Sequence, residues 1–381
     1  MAKKKEEVPV NQKTRKPTAK KTFNLNDYKK KAGLVEVPDK PLEWIRLSDG
    51  YQKATGLPGV AKGYVNLFRG HTNTGKSTAL CETIVSAQKM GILPIIIDTE
   101  NNLGKERLDN MGFDRDSGFF IEVDNEYLLE KFGKIQDTKR NEAAIEDLAK
   151  CIYDFIRQQD INVLEHELLF AIDSIGTLNC IKTINAQEKD DSQNNMWNAG
   201  AYEKAFMNLL NNTIPNSRKT NRQYTNTLAA VQKIWIDNMN GGVVKHKGGE
   251  TFYLGARLIT HFGGIISHST KRVTAQSKKR EVSYGIETKI NVAKNHVDGP
   301  LGGISMEGKI ISTPHGFIYP EDLDDYKKKN ILYFRNIFED DSLQAGDIEN
   351  KFRNVTADGN IDYSDDFIDK VDTETGEITE D

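Results

Sequence analysis

Residues Gly70–Thr78 read Gly-His-Thr-Asn-Thr-Gly-Lys-Ser-Thr and fit the pattern Gly-x-x-x-x-Gly-Lys-[Ser/Thr]. The apolar segment 64–68 before them predicts a buried strand, and 78–90 predicts a helix. In this context, glycines let the backbone wrap a polyphosphate while loop amides and the helix N-terminus point positive charge at it. The alternative is an ordinary glycine-rich turn, which the strand and helix context disfavours. The sequence therefore predicts a nucleotide site.

The residue types in this stretch suit the polyphosphate of a nucleotide with Mg²⁺. Lys76 can reach the β- and γ-phosphates, and the Ser77 hydroxyl can ligate the metal ion. The residues expected to contact the nucleotide are Gly70, His71, Thr72, Asn73, Thr74, Gly75, Lys76, Ser77 and Thr78.

Strand and helix patterns alternate through the central part of the chain. Leu93–Asp98 and Leu168–Asp173 are apolar runs that end in an acid, which is typical of parallel strands buried on both faces. Such alternation predicts an α/β fold with a mostly parallel, doubly wound sheet and a ligand at the carboxyl ends of its strands. After residue 254 only strand patterns follow, which predicts an antiparallel extension on one edge. The expected strands there are 256–262, 265–268, 287–293 and 304–311.

Polar residues at the predicted strand ends are candidates for the chemistry. Asp173 is placed to hold Mg²⁺ through water, or else to cap the segment that follows. Glu100 is placed to polarise an attacking water, because hydrolysis needs a base within hydrogen-bond reach of it; a solvated loop acid is the alternative. Gln232, expected to end strand 227–231, would sense the γ-phosphate.

The two ends of the chain are highly charged, and this sets the expected limits of the ordered core between them. Residues 3–31 carry eleven basic groups against three acidic ones, and residues 339–381 carry fifteen acidic groups against three basic ones. We expect a largely disordered basic arm at 1–40, with a subunit-docking segment or plain linker at 23–34. The core is expected at 41–318. A helical segment, predicted over 319–338, and an acidic disordered tail complete 319–381.

The other global features point to work inside a reducing cell. No signal peptide and no apolar run long enough for a membrane span are visible. Cys81, Cys151 and Cys180 are widely spaced in apolar or helical surroundings, which favours buried thiols over a disulfide framework or a zinc site. We expect a cytoplasmic protein of a bacterial or phage-infected cell, with no membrane partner.

Several stretches in order resemble the RecA-type strand-exchange ATPases, and the phage UvsX-type recombinases look most similar. Besides Gly70–Thr78 and the strand ends named above, Gly248–Leu258 (Gly-Gly-Glu-Thr-Phe-Tyr-Leu-Gly-Ala-Arg-Leu) resembles the family's Gly-Gly segment and following strand. Glu287–Asn295 (Glu-Thr-Lys-Ile-Asn-Val-Ala-Lys-Asn) resembles another family stretch. The resemblance covers about 42–317 and implies a RecA-like P-loop ATPase core.

This resemblance implies specific roles. Lys76, Ser77 and Asp173 would hold ATP and Mg²⁺, Glu100 would orient the water, and Gln232 would couple the γ-phosphate to a DNA loop. Lys294 would reach the ATP of the adjoining subunit and act like an arginine finger.

Two positions depart from the family pattern. His296 stands where the bacterial enzymes have a second lysine, so its action on ATP in trans is in doubt. Arg107 stands near the place of an adenine-stacking tyrosine, and its guanidinium can also stack.

Two polar segments, 184–198 and 233–249, match the family's DNA loops. Aromatic and methionine side chains stack on bases, and lysines neutralise phosphates; core packing is the alternative for the two tryptophans. The candidates are Met196, Trp197, Trp235, Met239, Gly241, Gly242, Lys245, His246, Lys247, Gly248 and Gly249.

Segment 268–280 is predicted to be a basic turn between two strands that receives duplex DNA, with a solvated hairpin as the alternative. Its candidates are Lys271, Arg272, Lys278, Lys279 and Arg280.

The function implied by the resemblance is an ATP-dependent DNA recombinase that forms helical homo-oligomeric filaments on single-stranded DNA and pairs it with homologous duplex DNA. Loading or single-strand-binding proteins would be further partners. A hexameric DnaB-type helicase and a KaiC-like regulatory ATPase remain alternatives. The helicase is disfavoured because no large N-terminal helical domain is evident.

Overall fold

The structure is a computed structural model. The chain divides into two compact units, Met1–Pro38 and Asp39–Asp381. The structure describes residues 24–34, 36–134, 140–187, 195–237, 243–264, 269–276, 281–298, 307–330, 333, 349–352, 370–371 and 378–379. In the first unit, α1 (Leu25–Lys31) is capped by Asn24, whose side chain accepts from the amide of Asn26 at 3.0 Å.

The second unit contains most of the regular structure. Its strands are β1 (Trp44–Arg46), β2 (Gly59–Ala61), β3 (Val65–Gly70), β4 (Leu93–Asp98), β5 (Ile121–Val123), β6 (Leu168–Ile175), β7 (Thr227–Asp237), β8 (Val243–His246), β9 (Leu258–Phe262), β10 (Thr270–Gln276), β11 (Glu281–Asn295), β12 (Glu307–Thr313), β13 (Gly316–Ile318), β14 (Glu349–Phe352), β15 (Lys370–Val371) and β16 (Ile378–Thr379).

Its helices cover both faces of the sheet. They are α2 (Asp49–Thr55), α3 (Lys76–Lys89), α4 (Lys105–Asn110), α5 (Asn125–Leu128), α6 (Ile145–Asp160), α7 (Ile181–Gln187), α8 (Asn195–Asn208), α9 (Ile214–Asn216), α10 (Glu250–Gly255) and α11 (Leu323–Lys329), with π-helical turns at Leu129–Gly133 and Leu209–Thr213 and a 3-10 turn at Pro320–Asp322. None of the helices within the described ranges is long and apolar enough to cross a bilayer.

Among the described strands, twelve form one sheet with the central order β9-β3-β7-β6-β4-β5, all parallel. Antiparallel strands β11, β12 and β13 extend it beyond β9. This confirms the expected mostly parallel α/β sheet with an antiparallel edge, and it is consistent with a RecA-like core.

Alternate residues of the central strands face two cores, as the period of two requires. Ile95, Ile97 and Phe170 belong to the core covered by α6 and α8. Ile96 and Leu169 face the core covered by α3. Both faces are therefore buried, which is why these strands are apolar runs. The three cysteines are also buried, as expected.

Four predictions of local structure are corrected. Segments 184–198 and 233–249 are not simple loops, because α7 and α8 flank the first and strands β7 and β8 form most of the second. Segment 268–280 is not a turn: residues 270–276 form β10, whose alternating pattern pairs with β11. The helical segment expected over 319–338 is not among these corrections: its described part contains the 3-10 turn and α11, and residues 331–332 and 334–338 lie outside the described residues. Residues 25–31 form α1, where disorder was expected.

A buried carboxylate ties α3 to the antiparallel edge. Glu82, on α3, accepts hydrogen bonds from the amide and hydroxyl of Ser48 at 3.1 and 3.0 Å and from the amide of Phe317 at 2.5 Å. Burial raises the pKa of Glu82 to about 7, and these hydrogen bonds only partly offset that effect. The helix that follows the glycine-rich loop is thus anchored by a group that titrates near neutrality.

Replacing Glu82 by Gln should remove a pH dependence of stability. Because the folded pKa lies above the value of 4.5 for a free side chain, the folded state binds a proton more tightly than the unfolded one. That contribution is complete below about pH 4.5 and is lost as pH rises through 7, by up to about 3 kcal/mol. Urea unfolding between pH 4.5 and pH 8 should show the free energy of unfolding of the wild type falling relative to that of Glu82→Gln. The same pH dependence in both proteins would contradict this prediction.

Candidate functional site

The glycine-rich loop lies at the carboxyl end of β3, in the middle of the parallel sheet. Gly70 has a φ of 157°, and a Cβ added there would lie 2.2 Å from the carbonyl oxygen of Phe262 on β9. Only glycine fits this close approach. The helix α3 then begins at Lys76, and among the described residues no side chain caps its first turn. Its first amides are available to an anion.

Lys76 and Asp173 are opposite charges buried in the same pocket. Lys76 is 4% exposed, donates to the carbonyl of His71 in the loop, and has its pKa lowered to about 8, chiefly by burial. Burial raises the pKa of Asp173 to about 6, against the opposing effect of a hydrogen bond with Ser77. At neutral pH both remain charged in a poorly solvated place. A lysine, a hydroxyl and a carboxylate form a donor set that fits a polyphosphate with Mg²⁺.

Glu100 lies next to this pair, at the end of β4. Its Oε2 is 2.6 Å from the ammonium of Lys233, and its Oε1 accepts from the hydroxyl of Ser174. Burial opposes ionisation, but the hydrogen bonds from Lys233 and Ser174 outweigh it and lower the pKa of Glu100. The Glu100 carboxylate is therefore fixed by hydrogen bonds from Lys233 and Ser174 and is not a solvated loop acid.

Asp98, two residues earlier, has a different role. Its carboxylate accepts from the amides of Glu100, Asn102 and Leu103 at 3.2, 3.2 and 2.8 Å. These bonds satisfy the backbone where the chain leaves β4, so Asp98 shapes the loop that positions Glu100.

Gln232 does not end its strand as predicted, because β7 continues to Asp237 by pairing with β8. It is fully buried; its Nε2 donates to the carbonyl of Lys247 at 2.9 Å, and its Oε1 has no hydrogen-bond partner among the described residues. An unpaired buried amide oxygen is costly. Gln232 thus connects the floor of the site to the end of β8.

The turn after β8 lies against the end of β6. A Cβ on Gly176, whose φ is 96°, would lie 2.2 Å from the Cβ of Lys247, and one on Gly248 would lie 2.3 Å from a methyl group of Ile175. The hairpin formed by β7 and β8, here called the β7–β8 hairpin, is therefore packed directly on the strand that carries Asp173.

A cluster at the start of α10 holds two of the predicted residues. His246 stacks on Tyr253, approaches Arg69 at 3.4 Å and pairs with Glu250 at 3.2 Å; burial lowers its pKa. Lys294 donates to the carbonyls of Tyr253 and Leu254 at 3.2 and 3.0 Å, and burial lowers its pKa. Both side chains contact their own protomer.

A cavity of about 420 Å³ lies beside the N-terminal end of α3. Arg107 lines it, together with Ser312 and Tyr333. Ser312 shows that this cavity is close to α3, because the Ser312 hydroxyl is 2.5 Å from the hydroxyl of Thr78 on that helix. Arg107 thus lines a cavity that borders the first turn of α3.

The other predicted DNA-binding residues have varied environments. Trp235 is 42% exposed, and Lys245 and Lys247 are exposed on the β7–β8 hairpin. Trp197 is half-buried against the core, with the ammonium of Lys182 4.3 Å from its ring centre, so the structure places it mainly in packing. Met196 lies in α8 and not in a loop.

The remaining candidates lie on the antiparallel edge or outside the described residues. Lys271 and Arg272 are half-buried on β10, and His296 is exposed just after β11. Outside the described residues lie Met239, Gly241, Gly242, Lys278, Lys279 and Arg280.

Lys233 and Tyr333 lie at the site although no sequence motif marks either of them. Lys233 pairs in register with Gly70 across β3 and β7, which brings it to the site, and no local sequence pattern gives that register. Tyr333 comes from far along the chain, and no local pattern links it to Arg107.

Comparison with known proteins gives a partial match. The chain is similar to Protein RecA of a Sulfurovum species, with 34% identity over 91 residues, and to Protein RecA of a Nitratiruptor species, with 35% identity over 91 residues. Each match covers 23% of this chain and 26% of the relative, so the chain spans about a quarter of the length of these curated relatives. No family model matches the chain. The similarity supports a RecA-like relationship.

Replacing Gly176 by Ala should separate the β7–β8 hairpin from β6. The added methyl would strain a left-handed φ and overlap Lys247 and Gly248, which should reduce the free energy of unfolding by about 1–3 kcal/mol. Gly118→Ala is the matched control, because Gly118 also has a positive φ, 64°, but its Cβ would meet no described atom within 4 Å. Denaturant titrations in which the two variants lose equal stability would contradict this contact.

Proposed function

We propose that this protein is an ATP-dependent DNA recombinase that assembles as a helical filament on single-stranded DNA and pairs it with homologous duplex DNA. The observation that carries the proposal is the convergence of Lys76, Asp173, Glu100 and Gln232 at the carboxyl ends of neighbouring parallel strands, with the β7–β8 hairpin leading directly away from them. The partial similarity to RecA proteins supports the same function.

In this proposal the loop and the first turn of α3 hold the phosphates. The ammonium of Lys76, which now donates to the His71 carbonyl, would bind the phosphate oxygens instead. Ser77 and Asp173 would hold Mg²⁺, which would neutralise charge on the phosphates. Glu100 orients the attacking water and accepts its proton. The Oε1 of Gln232, which has no hydrogen-bond partner in the described part of the chain, would suit contact with the water or metal shell around the γ-phosphate.

The base would occupy the cavity beside α3. Arg107 would stack on it through its guanidinium plane; Arg107 and Ser312 both line this cavity, which supports the assignment. Because ATP is the proposed nucleotide, the base in this cavity would be adenine.

The β7–β8 hairpin would bind single-stranded DNA. Trp235 offers an exposed stacking surface, while Lys245 and Lys247 supply positive charge nearby. The half-buried Lys271 and Arg272 on β10 would contribute to duplex capture.

Assembly would complete the ATP site, because Lys294 would reach the ATP of a neighbouring subunit. To do so it must leave the carbonyls of Tyr253 and Leu254, which it contacts within its own protomer. We also propose that the protein is related to the phage UvsX-type recombinases. It would work in the cytoplasm of a bacterial or phage-infected cell, with loading proteins as partners.

Lys76→Ala should lower kcat for ATP hydrolysis at least about 100-fold, because it removes a buried donor aimed at the charge that develops in the transition state. Lys89→Ala, at the exposed far end of the same helix, is the matched control and should hydrolyse ATP like the wild type. Steady-state phosphate release measures both. Intact turnover in Lys76→Ala would rule out this site.

Trp235→Ala should weaken binding of a dT oligonucleotide by about 1–3 kcal/mol, the usual worth of one base–aromatic stack. Trp235→Phe keeps an aromatic face and should retain most of the affinity. Fluorescence anisotropy at fixed salt measures the difference. Equal affinity in the alanine variant and the wild type would place the DNA elsewhere.

Electron microscopy with ATP and single-stranded DNA tests the assembly. Long helical filaments are expected. Closed six-membered rings would favour a DnaB-type helicase, and assemblies indifferent to DNA would favour a KaiC-like regulatory ATPase; either result would contradict the recombinase proposal.

A further inference from the structure

Both carboxylate oxygens of Glu100 are engaged by other side chains. The Lys233 ammonium lies 2.6 Å from Oε2, and the Ser174 hydroxyl donates to Oε1. A general base needs a lone pair directed at the proton it takes, and an adjacent cation makes a carboxylate less basic. In this arrangement Glu100 is a poor base.

Lys233 is placed where the site and the β7–β8 hairpin meet. It follows Gln232 on β7 and pairs in register with Gly70, the last residue of β3. Its carbonyl accepts from the amide of Lys247 at 3.1 Å. A shift of the hairpin relative to β3 would therefore displace the Lys233 side chain from Glu100.

The ammonium can also reach solvent on the hairpin. The Lys233 side chain is 29% exposed, whereas that of Glu100 is 11% exposed. Lys233 and Trp235 are two residues apart on one strand, so both project from the same face. A phosphate of a nucleic acid strand stacked on Trp235 would compete with Glu100 for this ammonium.

We infer that Lys233 is a positioning residue that restrains Glu100 until a nucleic acid strand binds the β7–β8 hairpin and draws the ammonium away. This rests on the proposed function, and it supplies a reason for hydrolysis to depend on DNA. The site would keep ATP without hydrolysing it until the hairpin is occupied.

The test is steady-state ATP hydrolysis by the full-length protein with and without a dT oligonucleotide. Lys233→Met removes the ammonium but keeps the length of the side chain. It should raise the DNA-independent kcat about five-fold or more, leave the KM for ATP unchanged, and reduce the stimulation by DNA by a similar factor. Lys233→Arg keeps a cation beside Glu100, so its DNA-independent kcat should stay well below that of Lys233→Met.

Two controls separate restraint from other effects of lost charge. Lys219→Met breaks a lysine–carboxylate pair with Asp39, 3.0 Å long, near the opposite end of β7, and should leave both rates unchanged. Combining Lys233→Met with Glu100→Gln should abolish the gain. If Lys233→Met folds poorly, as judged by thermal melting, Lys233→Gln is measured in the same way.

Several outcomes would overturn the inference. An unchanged DNA-independent kcat in Lys233→Met would show that the pair does not restrain Glu100. A lower kcat with a higher KM would show that Lys233 serves the phosphates directly. If the wild type hydrolyses no ATP under either condition, the proposed function itself fails, which is distinct from a failure of the restraint alone.

Discussion

The burial of Lys76 beside Asp173 is the constraint on which the rest of the site depends. Burial moves the pKa of the lysine down to about 8 and that of the carboxylate up to about 6, so each charge is held at a cost in solvation. Stability alone does not favour this arrangement, because apolar residues fill such a place better. A polyphosphate with its cation would give each group an opposite charge at close range.

The parallel sheet makes this arrangement possible and extends it. Because β3, β7, β6 and β4 are adjacent and parallel, residues distant in sequence meet at one edge. Strand β7 then continues past that edge and pairs with β8, so Gln232 and Lys233 belong both to the site and to the hairpin. The two close glycine contacts between the end of β6 and the turn after β8 fix that hairpin in place. Nucleotide and nucleic acid would therefore act on one continuous element.

Much of the parallel sheet and of the glycine-rich loop could be predicted from the sequence, because local patterns of residues mark them. Continuous apolar runs marked β4 and β6, and the glycine-rich loop marked the start of α3. The hairpin was missed because Trp235, Lys245 and the glycines between them read as a polar loop, while cross-strand pairing decided the structure. The Lys233–Glu100 pair was missed because it depends on strand register, which no local pattern gives. The cavity containing Arg107 and Tyr333 joins segments more than 200 residues apart, and only the fold brings them together.

The buried charge pair and the β7–β8 hairpin would thus form one coupled unit. The most direct test is the affinity of the protein for a dT oligonucleotide with and without a slowly hydrolysed ATP analogue and Mg²⁺, at fixed salt. If the two are coupled, the oligonucleotide should bind at least about ten-fold more tightly with the analogue, and by linkage it should tighten binding of the analogue equally. Oligonucleotide affinity that is the same with and without the analogue would contradict it.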